Sequence, residues 1–194
     1  MSGSAPRLLA FAGSARTDSL NKKLVRAAAA IAESAGASVT FADLADYPMP
    51  LYDGDLEDAN GLPEQAVAFR ALMKEHDGFL IASPEYNGAL SGLLKNVIDW
   101  ASRPAEGEKP LACFEDKTCT LLAASPGRLG GIRGLPALRV ILSGIGTNVL
   151  AKDFCLGGAG EAFAGDGSLA DDQQRAHLER VVTNLVTVTT KLRG

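Results

Sequence analysis

Short apolar runs alternate along this chain with longer stretches of helical period, and that alternation constrains the fold more than any other feature. Parallel strands need a crossover between them, and a helix is the usual one, so the rhythm predicts βαβ units around a parallel sheet. The first apolar run is Arg7–Ala12, followed by Leu20, Leu24, Val25, Ala28, Ile31 and Ala32 at helical spacing. These predict a strand and then a helix over 20–36, stopped by Gly36. A second strand is expected at 38–42, then a long connection, 44–62, with Pro48, Pro50 and several acids. Pro63 suits a first helical position and opens a helix carrying Val67, Leu72 and Met73.

The run 78–83 is nearly all apolar, as a central parallel strand should be. A turn at 84–88 and a helix over 90–100 follow. The fourth strand is 118–124, then come a glycine-rich turn and a helix bearing Leu135, Leu138, Leu142 and Ile145. A fifth short strand is expected within 148–156, and a closing helix presents Leu178, Val181, Val182, Leu185 and Leu192. The expected fold class is α/β: a doubly wound, five-stranded parallel sheet in the order 2-1-3-4-5, with helices on both faces. With 194 residues, no internal repeat and no low-complexity linker, one domain over 1–194 is expected.

Composition narrows the function classes. Apolar residues at 46% and charged residues at 22% describe an ordinary soluble globular chain. A net charge of −4 without any basic block argues against a nucleic-acid partner, which needs phosphate neutralisation. The apolar run near the N-terminus is too short for a signal-peptide core or a bilayer span, so no membrane partner is expected. Cys113, Cys119 and Cys155 are odd in number and outside any C-x-x-C pair, which points to a reducing cytoplasm. The two histidines, His76 and His177, both fall in expected helices and supply neither a Ser-His-Asp triad nor clustered zinc ligands. Chemistry is therefore expected from a cofactor, with no catalytic side chain and no metal.

In an open α/β sheet, ligands sit beyond the carboxyl ends of the strands, where strand order reverses. Three loops meet that edge. The first, 13–21, precedes a helix at Leu20, whose free N–H groups and dipole suit a phosphate. Ser14, Thr17 and Ser19 add hydroxyls, and Arg16 adds a charge-assisted contact. Simple capping by Asp18 or Ser19 is the plainer alternative. The loop is neither a P-loop nor a Rossmann fingerprint. The second, 83–88, combines Pro84, Glu85, Tyr86 and the turn pair Asn87-Gly88. It reads equally as the border of a flat heteroaromatic ring or as a plain strand-to-helix turn. The third, 125–131, holds Ser125 and Gly127 among three glycines that allow close backbone approach or merely a tight turn. A phosphate end and a ring end in one crevice suit a mononucleotide such as FMN.

Three blocks carry a resemblance: GSARTDSLNKKL at 13–24, SPEYNGALSGLLKNVIDWASR at 83–103 and SPGRLGGIRGLPALRVIL at 125–142. On these the chain resembles the NADPH-dependent FMN reductase family, which includes quinone, chromate and azo-dye reductases, over about 8–192. The resemblance implies a flavodoxin-like fold and FMN as cofactor, with Ser14, Arg16, Ser19, Leu20 and Asn21 around its phosphate. It implies Pro84, Glu85, Tyr86 and Asn87 beside the flavin ring, with Ser125 and Gly127 approaching from the third loop. It further implies NADPH or NADH as donor, a small-molecule acceptor, ping-pong exchange, and a homodimer or homotetramer whose partner subunit helps wall the pocket. One departure is Ser91, where many members have proline before the glycine at 92.

The competing function is a non-enzymatic electron carrier of the flavodoxin type; the mild charge and Arg16 in the phosphate loop lean towards the enzyme. Lys95 and Asp99 are spaced to pair on a helix surface, and Trp100 is expected in the core or an interface. The acidic run 53–58 lacks the glycine and glutamate of a calcium loop and is expected to be solvated. Cys119 is expected to be a small buried hydrophobe, and His76 to lie at the edge away from the crevice.

Overall fold

The protein is described by a computed structural model over residues 4–193. Four long or central elements fall where the apolar rhythm puts them: β1 (Arg7–Ala12), α1 (Leu20–Ser34), β2 (Ser38–Ala42) and, after α2 (Gly54–Asn60) and α3 (Glu64–Glu75), β3 (Gly78–Ala82). A two-stranded hairpin follows, β4 (Glu85–Tyr86) and β5 (Ala89–Leu90), then α4 (Gly92–Ala101), β6 (Thr118–Ala124) and α5 (Gly134–Gly144). The chain ends with β7 (Asn148–Val149), β8 (Phe154–Leu156) and α6 (Asp172–Leu192).

The main sheet runs β2-β1-β3-β6-β7, with β8 also pairing β6, and every pair is parallel. The expected fifth strand is therefore two fragments in one position: β7 pairs the start of β6 and β8 its end. Arg139 of α5 brackets the break, donating to Val149 O at 3.1 Å and to Asp153 at 2.6 Å. Side-chain bonds there replace a stretch of ladder.

Alternation along β1 shows how the layers form. Leu8, Ala10 and Ala12 face one side with α1 and α6, in a core that includes Leu24, Ala28, Leu178 and Leu185. Leu9 and Phe11 face the other side with α3, α4 and α5, among Phe69, Phe79, Leu94, Val97 and Leu138. Small residues under α1 let it sit close; the opposite face is filled by phenylalanines at edge-to-face angles, Phe11 against Phe69 with centroids 5.3 Å apart.

Two expectations need correction. The connection 44–62 is not featureless: Leu44–Asp46 form a 3-10 turn capped by Asp43, and the acidic run becomes α2, capped by Asp53. The repulsion of its acids is eased by Glu57, which binds Arg103 Nε at 2.8 Å and Tyr52 Oη at 2.9 Å. The helix expected from residue 90 starts at Gly92, because Ala89–Leu90 pair back on Glu85–Tyr86. The first helix ends at Ser34, and Gly36 at φ 94° just beyond it is the expected stop.

Other expectations fit the structure. Lys95 Nζ meets Asp99 at 2.6 Å, and Trp100 is fully buried with Nε1 donating to Pro50 O at 2.8 Å. Cys119 is buried in β6, and burial pushes its thiol well up. Among the described residues no helix is long and apolar enough to cross a membrane.

Candidate functional site

Three strands end at one level. Gly13 N–H donates to Ala82 O (2.9 Å), Ser83 N–H to Leu122 O (2.8 Å) and Ser125 N–H to Leu156 O (3.1 Å). Each chain leaves its strand still bonded to the next, so loops one, two and three open from a common rim. The order in which strands are added reverses between β1 and β3, since β2 lies on the other side of β1. The crevice expected at a switch point is therefore bounded by these loops.

Loop one carries the chemical signal. Among the described residues, the N–H groups of Ala15, Thr17, Asp18, Ser19, Leu20 and Asn21 donate to no protein acceptor. A cluster of free donors at the start of a fifteen-residue helix is a receptor for an anion. Ser19 does cap α1, accepting from Lys22 N–H at 3.3 Å. Capping uses a lone pair of Oγ and leaves its proton free to donate, so the two readings of Ser19 are compatible. Arg16 is exposed and its guanidinium binds no protein group among the described residues. Ser14 is buried, and its Oγ accepts from Arg16 N–H at 3.3 Å, shaping the loop from inside.

The Asn21 side chain is engaged within the protein: Nδ2 donates to Ala124 O at 3.0 Å and Oδ1 accepts from Ala124 N–H at 2.9 Å. Both ends of the amide are committed to the end of β6, which ties loop one to loop three; only the backbone N–H of Asn21 stays with the cradle.

Loop two is a projecting hairpin. Asn87 (φ 53°) and Gly88 (φ 79°) both have positive φ, as the favoured two-residue hairpin turn demands. Pro84 is buried beneath it, while Tyr86 is 52% exposed and free to offer a flat face. The Glu85 side chain is engaged within the protein. Its carboxylate accepts from Arg133 Nε at 2.6 Å and from Arg133 N–H at 3.1 Å. That arrangement fastens loop two to the start of α5 and leaves the Glu85 backbone for a ligand.

In loop three the glycines divide. A Cβ on Gly130 would lie 2.8 Å from the Gly157 backbone, and one on Gly131 2.9 Å from Ala123 Cβ, so both serve packing. A Cβ on Gly127 would meet Ser125 Oγ at 3.6 Å, an ordinary contact, and that hydroxyl accepts the Gly127 N–H at 3.2 Å. Gly127 is exposed and Ser125 half-buried just beyond the end of β6. Cys155 lies below them, and burial pushes its thiol up to about 11, so it stays protonated near neutral pH.

Lys22, Asp43 and Arg133 lie outside the expected site residues, yet they shape it, as does Ser91, the departure from the family pattern. Lys22 is buried and pairs with Asp43 at 2.7 Å, joining the first turn of α1 to the end of β2. Burial opposes the charge on Asp43, but Lys22 and the Ala45 N–H outweigh it and hold the carboxyl below its usual range. A lysine three residues before Val25, on the buried side of a helix, is itself a signal that a partner exists.

The family model for NADPH-dependent FMN reductases matches residues 6–161 of this chain. The chain belongs to that family. An NAD(P)H-dependent FMN reductase of Pseudomonas aeruginosa is 35% identical over 189 residues, covering 97% of each chain. A probable NADPH:quinone oxidoreductase of rice (Oryza sativa subsp. japonica) is 34% identical over 193 residues, covering 97% of this chain and 91% of the relative. Among solved structures, the flavoenzyme NAD(P)H:(acceptor) oxidoreductase of Paracoccus denitrificans superposes with a TM-score of 0.80 at 28% identity, covering 96% of this chain and 98% of that one. As an FMN reductase family member the protein is an oxidoreductase that works with FMN and NADPH, on a flavodoxin-like fold.

The residues present fit that cofactor. Free backbone donors and an unpaired guanidinium match a phosphate dianion, and the loop-two hairpin offers backbone and an aromatic face to a flat ring.

Proposed function

We propose that loop one holds the FMN phosphate and that the flavin ring rests against loops two and three. The observation that carries this reading is the set of six backbone donors without protein acceptors at the start of α1. In it, the N–H groups of Leu20 and Asn21 and the hydroxyls of Ser14 and Ser19 ring the phosphate, and Arg16 closes over it from solvent. Pro84, Glu85, Tyr86 and Asn87 border the ring, the glutamate through its backbone, with Ser125 and Gly127 opposite. Bound FMN supplies hydride acceptance from NADPH or NADH and delivery of the electrons to a second substrate. The chain's part is to bind, orient and leave one ring face open, so no side chain serves as essential acid or base.

The acceptor class is quinone-like, supported by relatives named quinone oxidoreductase; azo compounds, chromate and free flavin fit the same open face. Donor and acceptor use that face in turn. Leu129 and Ile132, more than half exposed beside the crevice, support a homodimer or homotetramer in which a second subunit covers loop three. A single domain over 1–194 and a cytoplasmic site of action complete the proposal, the latter supported by three free cysteines.

The test is a titration of flavin-free protein with FMN, followed by anaerobic addition of NADPH or NADH and then a quinone. FMN binds, its colour bleaches with the donor and returns with the quinone, and two-substrate rates give parallel lines. Failure to take up FMN overturns the site; intersecting lines overturn the alternating exchange.

A further inference from the structure

Ser91 stands at the foot of loop two, where family resemblance leads one to expect proline, and its side chain makes two bonds of opposite sense. Its Oγ accepts from Leu94 N–H at 3.2 Å, capping α4, and donates to the Gly13 carbonyl at 2.6 Å. One hydroxyl proton and two lone pairs satisfy both bonds at once. The residue is 1% exposed, so water does not compete.

The bond to Gly13 falls where it matters most. The peptide joining Gly13 to Ser14 is held at both ends, its carbonyl by Ser91 and its N–H by Ala12 O at 2.8 Å. Approach at this point is close: a Cβ on Gly13 would lie 2.9 Å from Leu94 Cβ and 3.2 Å from Ser91 Oγ. The chain that leaves this pinned peptide presents the free N–H groups of loop one. Its far end is pinned by Asn21 on Ala124. Loop one therefore hangs between two fixed points; Gly13 N–H ties its start to the end of β3, and the Ser91 hydroxyl ties the Gly13 carbonyl to the foot of loop two.

We propose that Ser91 is a positioning residue for the flavin phosphate, its hydroxyl setting how loop one leaves β1 relative to the hairpin of loop two. The inference rests on the FMN reading of the crevice. Its content is separate: the tie acts on the phosphate end and not on the ring.

The backbone provides a discriminating variant. Ser91 has φ −68° and ψ 148°, and its N–H donates to no protein acceptor among the described residues. Proline is accommodated there without losing a backbone bond. Both Ser91→Pro and Ser91→Ala remove the hydroxyl with its cap, and Ser91→Pro offsets that loss by fixing φ near its present value.

Dissociation constants for FMN and for riboflavin, measured on flavin-free wild type and both variants, give the phosphate preference as a ratio. Wild type prefers FMN. Both variants weaken FMN roughly fivefold, about the effect of one lost hydrogen bond, while riboflavin binding holds, so the ratio falls by the same factor. If the apoprotein's melting temperature drops and the ratio holds, Ser91 is only a cap and the proposal is overturned. Equal weakening of both ligands, or no change in either, overturns it too. If Ser91→Ala does not fold, Ser91→Pro decides alone. A wild type without preference for FMN overturns the crevice reading itself, an outcome the wild-type data alone reveal.

Discussion

At the amino edge of the sheet the polar groups are paired with protein, whereas at the carboxyl edge a run of backbone donors has no protein partner. Asp77 accepts from Arg7 N–H at 2.7 Å and meets Arg193 Nε at 3.1 Å. Lys117 Nζ reaches Lys74 O at 3.1 Å and His76 O at 2.5 Å. His76, as expected of its place away from the crevice, has both ring nitrogens engaged, with Leu72 O at 2.6 Å and Thr40 Oγ1 at 2.8 Å. Across the sheet, residues 15–21 keep six N–H groups free while Asn21, Ser91 and the Glu85–Arg133 pair fasten the three loops to one another. The lesson is a division of labour: side chains at the carboxyl edge brace the backbone so that the backbone can bind.

The strongest way to break this contrast is at Gly78, the first residue of β3. A Cβ there would lie 2.4 Å from Thr118 Oγ1 and 3.0 Å from Thr118 O. Gly78→Val should cost about 3 kcal/mol of stability by overpacking, read by denaturant unfolding, with FMN affinity of the folded fraction within roughly twofold of wild type. A large loss of affinity would show that the edges are not separable.

Arg16→Ala probes the other side. Its guanidinium has no protein partner, so apoprotein stability should change by less than about 0.5 kcal/mol. FMN binding should weaken by about 2 kcal/mol, roughly thirtyfold, from the loss of a charge-assisted contact. Calorimetric titration with FMN checks the second effect and thermal melting the first. Loss of stability without loss of affinity would reassign Arg16 to the scaffold.

The smallest effect is one of pH at a brace within the carboxyl edge, Lys22–Asp43. Asp43 has a folded-state pKa held below its unfolded value of about 3.9. Its contribution is therefore complete above about pH 4 and is lost as pH falls through the folded value. Asp43→Asn should be less stable than wild type at pH 7, and the gap should narrow below about pH 4 in urea unfolding. A gap constant with pH would mean that the Lys22 charge is stabilised without it.

Much of this was legible along the chain because the signals are local. Alternation in β1 and the apolar run of β3 reveal buried strands, and Asn87-Gly88 announces a turn whose geometry needs no distant partner. The acidic helix α2 was hidden because it has no buried face: none of its residues is buried, so no apolar period marks it. The divided fifth strand was hidden because two residues of β7 and three of β8 are too short for a pattern, and only pairing with β6 defines them. Polar side chains were the hardest to place. Asn21 and Glu85 stand beside residues of the crevice in sequence, yet both turn to partners far along the chain, Ala124 and Arg133.

The sequence by itself determined the sheet-and-helix rhythm, the three loops at one edge and the kind of ligand they suit, because periodicity and turn chemistry act over a few residues. Tertiary structure alone decided which polar groups brace and which remain free, because a hydrogen-bonding group takes whichever partner folding brings within about 3 Å. Ser91 and Gly13 are 78 positions apart, and nothing in either neighbourhood marks the other until β1 and β3 lie side by side.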